Sequence, residues 1–232
     1  MSGEGLRIDR AEALRYLGYA GQEFDADLER RFDAAVAACE QGLKPRCVHR
    51  AYPVDPARSG DDRVVLAGCG LVLEGRDIVR QLDGACEAVL MACTLGAESE
   101  RELQRRMALS PADALLYGAA ASALVEAAAN AEEATIGKEA AERGLQVSFR
   151  FSPGYGDLPL SVQPAFLAAL DATRRIGLAV TDSNLLIPEK SITAVVGLFE
   201  GAPPASSVRP SCTTCALAGR CAFKLQGRTC HG

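Results

Sequence analysis

Apolar residues along the first 200 positions recur at two spacings, one typical of helices and the other of strands. Helical spacing is clear between about Asp25 and Gly42, where Leu28, Phe32 and Cys39 fall on one face. The pattern predicts helices at about 9–17, 25–42, 75–83, 97–107, 110–143 and 161–175, and strands at 46–54, 63–74, 88–94, 145–151 and 192–199.

The longest predicted helix has strong N-terminal capping signals and a run of small residues in its middle. Ser110 is a suitable N-cap, Pro111 occupies the first helical position and Asp113 the third. Glycine, alanine and serine fill positions 118–123, so a neighbouring backbone can approach the helix closely.

The order of the elements predicts an α+β fold. Strands and helices interleave, but several neighbouring strands lack a helical crossover, which favours a mainly antiparallel twisted sheet flanked by helices. Residues 1–200 form one domain in this interpretation. Residues 201–232 form a linker, at about 201–210, and a cysteine-rich C-terminal tail.

Composition and charge narrow the class of protein. A chain of 232 residues with 48% apolar content can bury a large core, and a net charge of −5 argues against a general nucleic-acid binder. We expect a cytoplasmic protein, because no signal peptide begins the chain and the most apolar stretch, 114–131, contains Glu126 and Asn130. Without a secretory signal, the nine cysteines are expected to be thiols or metal ligands.

Positions 150–159, Arg-Phe-Ser-Pro-Gly-Tyr-Gly-Asp-Leu-Pro, form the most informative segment of the chain. Two prolines and two glycines predict a sharp turn after a strand, where a ligand can approach the main chain. Arg150 offers five N–H donors suited to a carboxylate or phosphate, and Tyr155 adds an aromatic ring with a hydroxyl. A plain Gly/Pro connection between strand and helix remains the alternative.

Four further thiols lie close together near the C-terminus, in a segment with too few apolar groups for its own core. The first two have metal-ligand spacing, and the wider later spacings suit an iron–sulfur cluster better than a zinc ribbon. An iron–sulfur cluster, a zinc ion and a tail without metal all remain open. The candidate ligands are Cys212, Cys215, Cys221 and Cys230.

The remaining cysteines and histidines carry little chemistry by themselves. Cysteines 39, 47, 69, 86 and 93 lie among apolar residues, which favours core packing. The chain has two histidines, so a Ser-His-Asp or Cys-His catalytic arrangement is poorly supported. His49 lies in a predicted strand with no identifiable partner, and His231 is a terminal residue.

The segment Arg-x-Ser-Pro-Gly-Tyr-Gly-Asp-x-Pro at 150–159 resembles the signature of the activation domain of cobalamin-dependent methionine synthase, in a short stand-alone form. A second segment, at 186–197, is similar to that family's later Pro-x-x-Ser, strand and glycine block. The resemblance covers about residues 10–200 and implies the same α+β fold.

The resemblance implies an S-adenosylmethionine-binding protein that supports reductive methylation of cobalamin. Arg150 would hold the methionine carboxylate, and Glu126 would meet the ammonium group. Backbone groups around Ser152, Pro153 and Gly154 would contact the adenosine, and Tyr155 would line the site. No Asp-x-His-x-x-Gly sequence supplies a lower cobalt ligand, so a separate methionine synthase chain would carry the cobalamin, and an electron donor is a further expected partner.

Two other classes remain open at this point. One is an iron–sulfur electron-transfer module that docks on a corrinoid protein. The other is a small-molecule-binding protein that uses the same fold for a different ligand.

Overall fold

The computed structural model describes residues 5–19, 21–207 and 219 of the chain. Its helices are α1 (Arg10–Tyr16), α2 (Ala26–Gly42), α3 (Arg76–Gln81), α4 (Ala97–Leu109), α5 (Pro111–Glu142), α6 (Gln163–Leu170) and α7 (Ala172–Ile176). Its strands are β1 (Arg46–Pro53), β2 (Arg63–Val65), β3 (Val72–Glu74), β4 (Glu87–Thr94), β5 (Gln146–Val147), β6 (Ala179–Val180), β7 (Leu186–Ile187) and β8 (Ser191–Phe199).

A four-stranded antiparallel sheet forms the centre of the fold. The strand order is β1-β4-β8-β5, with β4 paired along its whole length to both neighbours. Two short hairpins, β2–β3 and β6–β7, lie outside this sheet. The predicted α+β class with a mainly antiparallel sheet is therefore confirmed.

Three predicted elements are divided in the structure. The strand expected at 63–74 is a hairpin, because Gly68 and Gly70 adopt positive φ and Leu66 N–H donates to the carbonyl of Leu71. The strand expected at 145–151 pairs at β5 and again through a bridge from Phe151 to β8. The helix expected at 161–175 is broken at Asp171, which has a φ of 52°.

The two faces of the sheet contribute to different parts of the core. Residues such as Leu90, Phe166 and Val195 pack one face against α6, α7 and the β2–β3 hairpin. The other face packs Met91 and Val196 against the alanine-rich side of α5. The N-terminal half of α5 packs instead on α1, α2 and α4.

Helix α5 is the central support of the fold. Ser110 accepts a hydrogen bond from the N–H of Asp113, as the start signal predicts, and Pro111 occupies the first turn. Among the described residues, α5 alone is long and apolar enough to cross a membrane by length and composition. Most of its apolar window, 61%, is buried inside the fold, as in the core helix of a globular domain.

Charged contacts attach the C-terminal half of α5 to the sheet at the β1 edge. His49 on β1 contacts Glu132 through Nδ1 at 2.7 Å and Glu139 through Nε2 at 3.0 Å. Arg143, at the end of α5, makes a two-pronged ion pair with Glu87 of β4. His49 is a partly exposed strand residue, as expected, and the sequence did not identify its partners because they lie more than 80 residues away.

Two of the body cysteines are joined to each other. Cys47 and Cys93 lie directly opposite on β1 and β4, with Cα atoms 4.2 Å apart, and form a cross-strand disulfide. The prediction of free thiols is wrong for this pair, since strand register is a property of the folded sheet. Cys39 is a buried free thiol, as predicted, and burial raises its pKa to about 12. Cys69 and Cys86 are free and partly exposed.

The first part of the predicted linker packs against the body. The Ser207 side chain is buried, its hydroxyl donates to the carbonyl of Gln81 at 2.5 Å, and its carbonyl accepts from the N–H of Phe149 at 3.1 Å. A linker from 201 to 210 with freedom along its whole length is therefore not observed.

We expect the His49 contacts to stabilise the fold in a pH-dependent manner. The hydrogen bond with Glu132 raises the pKa of His49 above its ordinary value of 6.5. A raised folded-state pKa stabilises the protein below pH 6.5, and that stabilisation is lost as the pH rises through the folded-state pKa. The difference in unfolding free energy between wild type and His49→Gln should therefore shrink with increasing pH above 6.5.

The matching direct measurement is an NMR titration of the His49 ring. The second histidine, His231, provides an internal reference in the same sample. A His49 pKa at or below 6.5 would contradict the assigned contacts.

Candidate functional site

Arg150 lies at the centre of a polar cluster between α5 and the start of the signature turn. Its Nη1 donates to Glu133 and to Asn130 at 2.6 Å each, and its Nη2 donates to Glu126 at 2.6 Å. The backbone N–H of Arg150 also donates to Glu133 at 3.0 Å. The Arg150 side chain is 14% exposed, so the cluster is largely but not fully shielded from water.

The periodicity of α5 places the three partners of Arg150 on one face. Glu126, Asn130 and Glu133 are four and three residues apart, a spacing that aligns side chains along an α-helix. The structure therefore brings the predicted residues Arg150 and Glu126 together. Sequence reasoning missed Asn130 and Glu133, although polar residues at this spacing in an alanine-rich helix were a usable signal.

The segment after Arg150 is a tight turn whose main chain is largely satisfied internally. Gly154 N–H donates to the carbonyl of Leu158 at 2.8 Å, and Tyr155 N–H donates to that of Ser152 at 3.0 Å. Pro153 is buried beneath the turn. These two N–H groups are thus engaged within the turn itself. The Ser152 hydroxyl makes no hydrogen bond with another described residue.

Gly156 allows the turn to approach helix α3 closely. Its φ is 53°, and an added Cβ would lie 2.1 Å from a carboxylate oxygen of Asp77. The next residue, Asp157, caps α3 by accepting hydrogen bonds from the N–H groups of Arg76 at 2.7 Å and Asp77 at 2.9 Å. The aspartate of the signature therefore fixes the turn to the body, a role that sequence reasoning did not assign.

Tyr155 is the exposed aromatic residue of the signature turn. Its side chain is 58% exposed, and its ring packs edge-on against Phe151 with centroids 6.1 Å apart. Leu160, also exposed, lies beside Gly154 on the same turn. An aromatic ring and an aliphatic side chain are thus exposed on the turn that follows Arg150, which is a suitable surface for a planar apolar group.

The predicted metal ligands cannot be placed in this fold. Cys212, Cys215, Cys221 and Cys230 lie outside the described residues. Within residues 5–19 and 21–207, no group of three or more His, Cys, Asp or Glu side chains is arranged to hold a metal ion.

Comparison with known proteins identifies the fold. No family model matches the chain, and no curated protein matches it. Among solved structures, the chain is similar to the MetH reactivation domain bound to AdoHcy, with a TM-score of 0.63 and 16% sequence identity. The match covers 96% of this chain and 82% of that one. The chain has the fold of the MetH reactivation domain.

This result confirms the fold that the signature resemblance implied, over nearly the whole chain. At this identity the likeness concerns the fold, and the roles of Arg150, Glu126 and residues 152–155 remain predictions. The agreement is nevertheless informative, because the signature segment occupies only ten residues and the structural match extends far beyond it.

We expect the Asp157 cap to weaken in acid. The backbone N–H groups of Asp77 and Arg76 hold the pKa of Asp157 below its ordinary value of 3.8. A lowered folded-state pKa stabilises the protein above pH 3.8, and that stabilisation is lost as the pH falls through the folded-state pKa. Asp157→Asn should therefore be less stable than wild type at pH 6, with the difference narrowing below pH 3.8.

Denaturant unfolding of wild type and Asp157→Asn, from below pH 3.8 to pH 6, measures the difference in unfolding free energy. Asp61→Asn is a suitable control, since Asp61 is also exposed and has no partner among the described residues. A difference between wild type and Asp157→Asn that is constant with pH would show that the carboxylate charge has no part in the cap.

Proposed function

We propose that this chain binds S-adenosylmethionine and supports reductive methylation of a cobalamin-dependent methionine synthase carried on a separate chain. Residues 1–200 are the binding domain in this proposal, and residues 201–232 are a linker and tail. The observation that most supports it is the likeness of nearly the whole chain to a reactivation domain whose solved structure is bound to AdoHcy.

The charges around Arg150 suit the amino-acid end of such a ligand. An α-amino acid carries a carboxylate beside an ammonium group, and Arg150 and Glu126 present the complementary charges 2.6 Å apart. The ligand carboxylate would replace Glu126 at Nη2, and its ammonium group would pair with the released Glu126. Arg150 retains Glu133 and Asn130 on Nη1, so the guanidinium keeps its position during this exchange.

The turn and its rim suit the nucleoside end. Tyr155 and Leu160 provide exposed apolar surface on the turn that follows Arg150, and the Ser152 hydroxyl is available for a polar contact. Gly154 brings the main chain to the surface without a side chain, and the buried Pro153 next to it would fix the direction of the turn. Bound S-adenosylmethionine supplies an electrophilic methyl group, and the residues of this chain orient it toward the cobalamin of the partner.

The cysteine-rich tail is proposed to bind one iron–sulfur cluster that passes an electron to the partner. Reductive methylation requires one electron, and the chain has no nucleotide-binding motif for a flavin or nicotinamide. Cys212, Cys215, Cys221 and Cys230 would be the ligands, and a separate electron donor would supply the cluster. The four cations of the tail would partly neutralise an anionic tetrathiolate centre.

Arg150→Lys should weaken S-adenosylmethionine binding about tenfold to hundredfold, because a lysine keeps the charge but loses the planar fork. Isothermal titration calorimetry with S-adenosylmethionine and AdoHcy measures the effect. Lysine is preferable to alanine, since alanine would leave Glu126 and Glu133 side by side without a cation.

The matched control is Arg143→Lys, which disrupts a two-pronged arginine–carboxylate pair with Glu87 elsewhere on α5. It should leave the dissociation constant unchanged. Equal affinity of wild type and Arg150→Lys, or equal weakening by the two substitutions, would remove Arg150 from the binding site.

The paired substitution Cys212→Ser and Cys215→Ser should abolish iron binding and the associated visible absorbance, and spare S-adenosylmethionine affinity. With a separately encoded methionine synthase, it should also slow reactivation driven by a physiological electron donor. Anaerobic metal analysis and a reactivation assay measure these effects, and Cys69→Ser with Cys86→Ser is the control for loss of two partly exposed thiols.

Wild-type protein, S-adenosylmethionine and a reductant should all be required for reactivation. Full reactivation without this chain would contradict the proposed function. Stoichiometric zinc with no iron in anaerobically prepared protein would instead contradict the electron-relay role and leave the tail as a structural element.

A further inference from the structure

A cavity of about 380 Å³ opens between the turn that follows α3 and the segment that follows β8. Phe199, Cys86 and Pro204 line it, together with the carboxylates of Asp83 and Glu200. Phe199 is buried and gives the cavity an apolar floor, whereas the two acids are exposed at its rim. This cavity is separate from the Arg150 cluster.

The rim of the cavity has an unneutralised negative charge. Within residues 5–19 and 21–207, neither Asp83 nor Glu200 has a hydrogen-bond or ion-pair partner. The nearby acid Glu87 is already paired with Arg143. Most of the ion pairs between described residues join an arginine to a carboxylate. The two acids at this cavity have no such arginine, so a cationic segment could pair with them.

The chain itself supplies such a segment from an adjacent point. Residues 208–232 contain four cations and no acid, and the first 202 residues have a net charge of −9. The described body ends at Ser207, which is buried and whose N–H donates to the carbonyl of Pro204 in the cavity wall at 2.8 Å. Arg209 follows two residues later, within about 7 Å of extended chain.

We propose that the basic tail, residues 208–232, docks on the body of its own chain at this cavity, with Asp83 and Glu200 as its carboxylate partners and Arg209 as the first cation to reach them. Leu217, Phe223 and Leu225 give the tail apolar groups for the floor beneath. This docking contact does not require a metal in the tail, and it does not require bound S-adenosylmethionine.

The docked position would hold the tail beside the signature turn. Phe199 lies four residues along β8 from Val195, which pairs with Phe151 next to Arg150. Four residues of strand span about 13 Å.

The first test is zero-length carbodiimide cross-linking of the full-length Arg209→Lys variant, followed by peptide mapping. Position 209 of this variant should link to Asp83 or Glu200 within one chain. Links from position 209 spread over other acids of the body would overturn the proposal. So would links between isotopically labelled and unlabelled copies, which would assign the cavity to a second chain.

The second test is tryptic cleavage of the full-length protein after Arg220 and Lys224. Asp83→Asn with Glu200→Gln should accelerate cleavage about two- to fivefold for each pair lost. Added salt should accelerate cleavage of wild type and leave this variant unchanged. The control, Asp61→Asn with Asp182→Asn, removes two exposed acids that do not line the cavity and should cleave like wild type. Equal rates in the two double variants would contradict the docking.

Discussion

Charged contacts at two opposite edges of the sheet determine how helix α5 lies on it. The buried face of α5 consists mainly of alanines, and burial of small apolar groups is nearly non-directional. Burial of this face alone therefore gives similar packing energies when the helix is rotated slightly about its own axis. His49 at one edge and Arg150 beyond the other select the rotation in which Glu132, Glu126 and Glu133 all have partners. Another rotation would bury unpaired carboxylates, which is strongly unfavourable.

Arg150 has one role in the fold, and our proposal gives it a second, connected role. In the fold it neutralises two carboxylates of α5, and in the proposed function it exchanges one of them for a ligand carboxylate. Such an exchange would replace the Arg150–Glu126 ion pair by two ion pairs with the ligand, because the displaced Glu126 would receive the ligand ammonium group. In that proposal the binding site is preorganised, and no buried charge is left uncompensated in the free protein.

Helix α3 connects this site to the point where the tail leaves the body. Asp157 of the signature turn caps its first residues, and Gln81 at its end donates to the carbonyl of Phe149 and accepts Ser207 through its own carbonyl. Helix α3, which is six residues long, thus contacts the signature turn, the segment just before Arg150 and the linker residue Ser207. A tail docked at the Asp83 and Glu200 cavity would lie on this same unit.

The sequence by itself predicted the α+β class, most helix bounds, the antiparallel sheet and a tight turn at 150–159. These features depend on local signals: apolar periodicity, capping residues such as Ser110, and the Gly/Pro content of the turn. It also nominated Arg150 and Glu126 through a resemblance. Their direct ion pair, and the participation of Glu133 and Asn130, emerged only from the folded chain.

Only the tertiary structure decided the partners of each charged group and each thiol. The two acids that contact His49, the pairing of Cys47 with Cys93 and the anchoring of Ser207 all join residues far apart in sequence. Sequence spacing specifies which side chains share a face of one helix or strand. Which faces then meet, and in which register, depends on the packing of all the elements together, and that packing placed Arg150 against α5.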